Sequence, residues 1–82
     1  MAYCVYVIRS LIDDHLYTGS CEDFNKRLAV HNAGKVRSTK SRKPFVLVYK
    51  EEYETRTEAK KREIFLKSGA GRKLIQDKIS EP

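Results

Sequence analysis

"YCVYVIRS" (residues 3–10) and "LYTGS" (16–20), parted by the polar break "DDH", decide the fold. Both runs are rich in β-branched and aromatic residues, which fit a pleated half-buried surface, and the break between them reads as the turn of a β-hairpin. Asp23 follows Ser20 at capping-box spacing and predicts a helix over about 22–33, ended by Gly34 as a left-handed cap. Its period puts Phe24, Leu28 and His31 on one side. "GKVRSTKSRKP" (34–44), bounded by Gly and Pro, reads as a loop. "FVLVYKEEY" (45–53) is a third strand, and its continuous apolar start points to a central position with both faces covered. Thr55 and Glu58 form a second capping box, opening a helix that runs to Gly69, and "AGRKLIQDKI" (70–79) supplies a short last helix. The order β-β-α-β-α-α predicts an α+β fold, a small antiparallel sheet with helices packed on it.

A chain of 82 residues suffices for one small domain, 1–82, with a single modest core. Seventeen Lys and Arg against eleven Asp and Glu give a formal charge of +6, which favours a polyanionic partner over an acidic small molecule. Solubility alone accounts equally well for a charge of this size. No apolar run approaches a membrane span and the N-terminus lacks the order of a signal peptide, so a cytoplasmic protein with no membrane partner is expected. Cys4 and Cys21 form no CxxC and have no neighbour at metal-ligand spacing; they read as reduced structural thiols.

Four features can carry chemistry. Tyr6 and Tyr17 sit on adjoining strands, in a register the sequence leaves open, and Tyr is also an ordinary half-buried strand residue. Arg27 and His31 are spaced i, i+4 on the first helix, and a His on an apolar face is commonly a satisfied core residue. Glu63 falls between Ala59 and Leu66 on the inward stripe of "TEAKKREIFLKSG" (57–69). An ionised carboxylate there is costly unless something satisfies it: a metal, or an ion pair with Arg62, Lys60 or Arg27. Lys35, Arg37, Lys40, Arg42 and Lys43, with no acid among them, suit a mobile segment that follows a nucleic-acid backbone, although a solvated charged loop has the same composition.

Taken together, "CVY" (4–6), "YTG" (17–19), an Arg and a His one turn apart on the next helix and a lone Glu on a later one resemble the GIY-YIG nuclease superfamily. The likeness is nearest to its small stand-alone bacterial members, which are similar to the N-terminal nuclease domain found in excinuclease ABC. "HNAGKVRSTKSRKPFVLVY" and "AKKREIFLKSG" look typical of that subgroup. The resemblance implies a three-stranded antiparallel sheet flanked by helices, one divalent ion (Mg²⁺ or Mn²⁺), and hydrolysis of phosphodiester bonds in nucleic acid, DNA ahead of RNA, in structured or damaged substrates. By position it makes Tyr6, Tyr17, Arg27 and His31 catalytic, Glu63 the metal ligand and Gly19 the glycine closing the second half-motif. Cys4, Val5 and Thr18 replace the family's apolar or glycine residues, and Lys67 and Ser68 stand where several branches carry an asparagine. One carboxylate can hold a hydrated Mg²⁺, with either Tyr6 or His31 as general base. Substrate selectivity then falls to nucleic-acid shape or to a protein partner. Two rivals keep the charge and drop the chemistry: a non-catalytic nucleic-acid-binding module with a degenerate nuclease site, and a protein-interaction domain.

Overall fold

A computed structural model describes residues 2–80, so the extreme ends of the expected 1–82 span lie outside the described residues. Strands β1 (Tyr3–Ser10) and β2 (Leu16–Cys21) form the hairpin, followed by helix α1 (Phe24–Asn32), a 3₁₀ turn at Lys40–Arg42, strand β3 (Phe45–Tyr53), and helices α2 (Arg56–Lys67) and α3 (Gly69–Ser80). The fold is α+β, with one antiparallel sheet in the order β2-β1-β3.

That strand order overturns the central place expected for β3. The central strand is β1, where Cys4 through Ile8 are all buried. Its alternation separates two cores. Val5 and Val7 point to Ala59 and Leu66 of α2 and Ile75 of α3. Cys4, Tyr6 and Ile8 point the other way, against Phe45 and the Phe24 and Leu28 side chains of α1. In β3 the apolar run misleads because its residues do not share one environment: Phe45 is buried while Leu47 is exposed at the sheet edge. A bulge between Val7 and Ile8 in the β1–β3 register leaves Val48 without a cross-strand partner, which bends the edge.

The helix starts also differ. Asp23 itself caps α1, its side chain accepting from the Lys26 N–H, because Ser20 remains inside β2 and uses its hydroxyl elsewhere. Thr55 caps α2 as the spacing predicts, accepting from Glu58 N–H at 3.2 Å. Gly34 takes a positive φ of 75° after α1, the left-handed turn expected of it. One contact ties α1 to the sheet and another sets the corner between α2 and α3. The Asn32 side chain brackets the Phe45 backbone, accepting its N–H at 2.7 Å and donating to its C=O at 3.3 Å. At the α2–α3 corner, a Cβ on Gly71 would fall 2.1 Å from the Phe65 carbonyl oxygen, so only glycine lets α3 turn back so tightly.

Candidate active site

The hairpin register places Tyr6 opposite Gly19 and Tyr17 opposite Ile8, so the two tyrosines lie one step apart diagonally on the α1 face. Gly19 is the space in which the Tyr6 hydroxyl sits. A Cβ there would come within 2.5 Å of the phenolic oxygen. From α1, His31 meets this oxygen with Nε2 at 3.0 Å, and its ring lies 5.1 Å from that of Tyr17. Tyr6 and His31 are almost fully buried, at 1 % and 0 % exposure. Burial pushes the Tyr6 phenol up to about 12, against the pull of the adjacent Arg27 guanidinium. Burial, helped by the Arg27 charge, lowers the His31 pKa below its usual value. A neutral phenol and a neutral imidazole thus stand behind a permanent cation.

The basic loop is pinned at three points, not mobile as its composition suggests. Thr39, buried at 2 % exposure, lies with Oγ1 2.8 Å from His31 Nδ1. The Ser10 hydroxyl donates to the Arg42 carbonyl at 2.5 Å, and the Arg42 side chain pairs with Asp13 of the hairpin turn at 3.0 Å. Lys35, Arg37, Lys40 and Lys43 remain exposed. The loop therefore offers cations to solvent on a frame anchored to the same histidine that meets Tyr6.

Glu63 lies apart from this group. It is buried on the inward stripe of α2, at 6 % exposure, but on the sheet face opposite Tyr6. Its Oε1 accepts the Ser20 hydroxyl at 2.5 Å and lies 3.5 Å from Lys60 Nζ; Oε2 accepts from Lys67 Nζ at 2.8 Å. Burial works to raise its pKa, yet Lys67 and Ser20 prevail and hold the carboxyl below the usual carboxylate range. Of the ion pairs open to it on sequence, Lys60 is realised; Arg62 goes to Glu51 at 2.8 Å and Arg27 to Tyr6. Among the described residues no hydrogen bond or ion pair joins Glu63 to Tyr6, Tyr17, Arg27 or His31. The two groups approach neighbouring residues of one edge strand from opposite sides: Tyr6 under Gly19, Glu63 on Ser20.

Sequence reading missed Lys67, Ser20 and Thr39. Lys67 had a signal, the i, i+4 spacing from Glu63. Ser20, beside the second half-motif, had a weak one, and Thr39 had none.

Among the described residues no cluster of three or more His, Cys, Asp or Glu is placed to hold a metal. The donor set still fits one hydrated hard cation, which binds through a single carboxylate and keeps most of its waters. Glu63 is held ionised, and Lys67, half exposed on the helix surface, can swing off Oε2.

Comparison with known proteins gives the family of the chain. The family model described as "GIY-YIG catalytic domain" matches residues 2–75. UPF0213 proteins of Staphylococcus aureus, strains Mu3 and N315 among them, are 41 % identical over 76 residues, covering 92 % of this chain and 92 % of theirs. The solution NMR structure of the UPF0213 protein BH0048 from Bacillus halodurans superposes with a TM-score of 0.57 at 29 % identity, covering 94 % of this chain and 84 % of that one. The chain therefore belongs to the GIY-YIG family, a family of nucleases.

Proposed function

We propose that this chain is a single-domain, divalent-metal-dependent endonuclease that hydrolyses phosphodiester bonds in structured or damaged DNA. The observation that carries the reading is the buried Tyr6–His31 pair with Arg27 set against the phenol, since a hydrolase of phosphodiesters needs a proton acceptor and a fixed cation side by side. The attacking water gives up its proton to the Tyr6 oxygen, reached past the half-buried Arg27, as the Tyr6 proton passes to His31 Nε2. Arg27 neutralises charge gathering on the phosphate. Tyr17, half buried with its ring against His31, orients the water or a phosphate oxygen. The exposed Lys35, Arg37, Lys40 and Lys43 hold the flanking backbone without reading bases. Glu63 holds the metal, Mg²⁺ or Mn²⁺, which when bound supplies Lewis-acid charge at the leaving oxygen.

The decisive assay offers flapped, branched and nicked DNA, and matching RNA, with Mg²⁺ or with EDTA. Cleavage that needs the metal and disappears in Glu63→Ala supports the enzyme. The substitution leaves half-exposed Lys67 and exposed Lys60 to solvent, so the fold is expected to persist. The rival reading, a binding module with a degenerate site, draws on one observation: both Glu63 oxygens are already satisfied within the protein. It predicts salt-sensitive retention of the same DNA panel with no product at any metal concentration.

A further inference from the structure

The Tyr6 hydroxyl has few ways to place its proton. It is buried, stays protonated at neutral pH, and has as neighbours Arg27, which has donors only, and His31 Nε2 at 3.0 Å. The phenol must donate to Nε2. A neutral imidazole that accepts at Nε2 carries its proton on Nδ1, and the partner there is Thr39 Oγ1 at 2.8 Å. Thr39 must then accept, and its own proton goes to the Val36 carbonyl at 3.4 Å. Each proton in the run Tyr6, His31, Thr39 is used in one direction only, ending on the Val36 carbonyl. Turning any one of them leaves a buried donor without an acceptor.

We infer that Thr39 is the positioning residue of this site: by accepting the Nδ1–H of His31 it holds the imidazole in the tautomer whose Nε2 can take a proton from Tyr6. The consequence for turnover rests on the nuclease reading, but the tautomer itself is a property of the resting protein. Thr39 serves equally after proton transfer, because an imidazolium still carries Nδ1–H and needs the same acceptor, while Tyr6, reprotonated by the attacking water, remains a neutral phenol. Thr39 also lies inside the pinned basic segment, immediately before the 3₁₀ turn Lys40–Arg42, so the residue that orders the histidine also anchors the loop that carries the cations.

The test is a ¹⁵N spectrum of the His31 ring in the parent, Thr39→Val and Thr39→Ser, with metal-dependent cleavage measured on the same samples. The parent is expected to show the Nδ1-protonated tautomer. Thr39→Val keeps the shape and removes the hydroxyl; it should release the ring to the Nε2-protonated form and slow cleavage by about 10- to 100-fold, the loss typical of an orienting partner. Thr39→Ser should restore both. An Nε2-protonated parent overturns the assignment, as does Thr39→Val that keeps the parent's tautomer and rate. Should the valine protein fail to fold, the tautomer of the parent decides alone. If the parent cuts no substrate while its His31 is Nδ1-protonated and responds to Thr39→Val, the nuclease reading falls and the Thr39 assignment stands.

Discussion

The two faces of the sheet handle buried polar groups in opposite ways. On the α1 face, Tyr6, His31 and Thr39 are all neutral and are satisfied by one another through hydrogen bonds, with the Arg27 guanidinium beside the phenol. On the α2–α3 face, the carboxylates Glu63 and Glu51 are kept ionised by cations: Lys67 and Lys60 for the first, a two-point Arg62 contact for the second, with Tyr49 and Tyr53 donating to Glu51 as well. Neutral groups in a dry pocket resist charging, since burial raises the phenol and lowers the imidazole, so a proton moves through them only where nearby charge such as that of Arg27 and a phosphate offsets the cost. Ion pairs at a half-wet helix surface are poised to exchange partners, because each is individually weak. The same sheet thus keeps a neutral hydrogen-bonded set on one side and ion-paired carboxylates on the other, and Tyr6 and Glu63 both reach strand β2.

The sharpest way to break this contrast is to remove the charge set against the phenol. Arg27→Ala is expected to lower the cleavage rate by about 10²–10³, the usual loss of one preorganised charge stabiliser. Arg27→Lys should recover only part of it, since an ammonium lacks the guanidinium's fixed fork of donors. A rate unchanged in Arg27→Ala would remove Arg27 from the reaction. Next in size is Gly19→Ala, which puts a methyl 2.5 Å from the Tyr6 oxygen. It is expected to cost about 1–3 kcal/mol in urea-induced unfolding, as overpacking does, and to disturb Tyr6 in the same stroke. Gly69→Ala is the control: nothing lies within 4 Å of the added carbon, and stability should hold.

Acid titration should separate the two faces by pH. His31 has a folded pKa lowered from 6.5, so as pH falls below 6.5 the unfolded chain binds a proton that the native protein refuses. Its stabilising contribution is complete above 6.5 and is lost as pH falls toward the folded value. Glu63 and Glu51 are lowered from 4.5, so theirs is complete above 4.5 and is lost only below it. Two descents are expected in unfolding free energy plotted against pH. His31→Asn should flatten the upper one, and Glu51→Gln should flatten part of the lower. One descent confined below pH 4.5 would mean that His31 titrates in the fold as it does in the unfolded chain.

Much of this architecture was legible beforehand, for definite reasons. β1 and β3 end where the alternation and turn residues say, and the inward Glu63 was visible from helix period alone. That Arg27 and His31 share a side of α1, and that Tyr6 shares a face of β1 with Cys4 and Ile8, follows from local geometry, i, i+4 spacing on a helix and alternation on a strand. What sequence could not supply is long-range. Which strand sits in the middle depends on pairing between segments far apart in the chain, and the apolar start of β3 imitates a buried strand that is in fact β1. Thr39 carries no local signal, since its importance comes only from the way the loop folds back on His31, eight residues earlier. Ser20 looked like a cap for α1 because the spacing to Asp23 fits one, but β2 extends through it and Glu63 claims its hydroxyl.

The smallest expected effect is the one that decides how the ionic face works. The Lys67–Glu63 pair is an i, i+4 contact with Lys67 half exposed, and pairs of that kind contribute about 0.3–0.5 kcal/mol. Lys67→Met keeps the aliphatic stem and should change stability by no more than that. If Glu63 is the seat of the divalent ion, the ammonium on Oε2 competes for the same oxygen and also repels the arriving dication. Two unit charges about 4 Å apart in water interact by roughly 1 kcal/mol, and a dication doubles it, so removing Lys67 should tighten Mn²⁺ binding by up to about thirtyfold in a calorimetric titration. Lys60→Met, farther away at 3.5 Å and on the other oxygen, should tighten it less. Equal Mn²⁺ affinity in the parent, Lys67→Met and Glu63→Gln would separate the ion from this carboxylate, and would leave Glu63 as the partner of two lysines and a serine that fastens α2 to the edge strand.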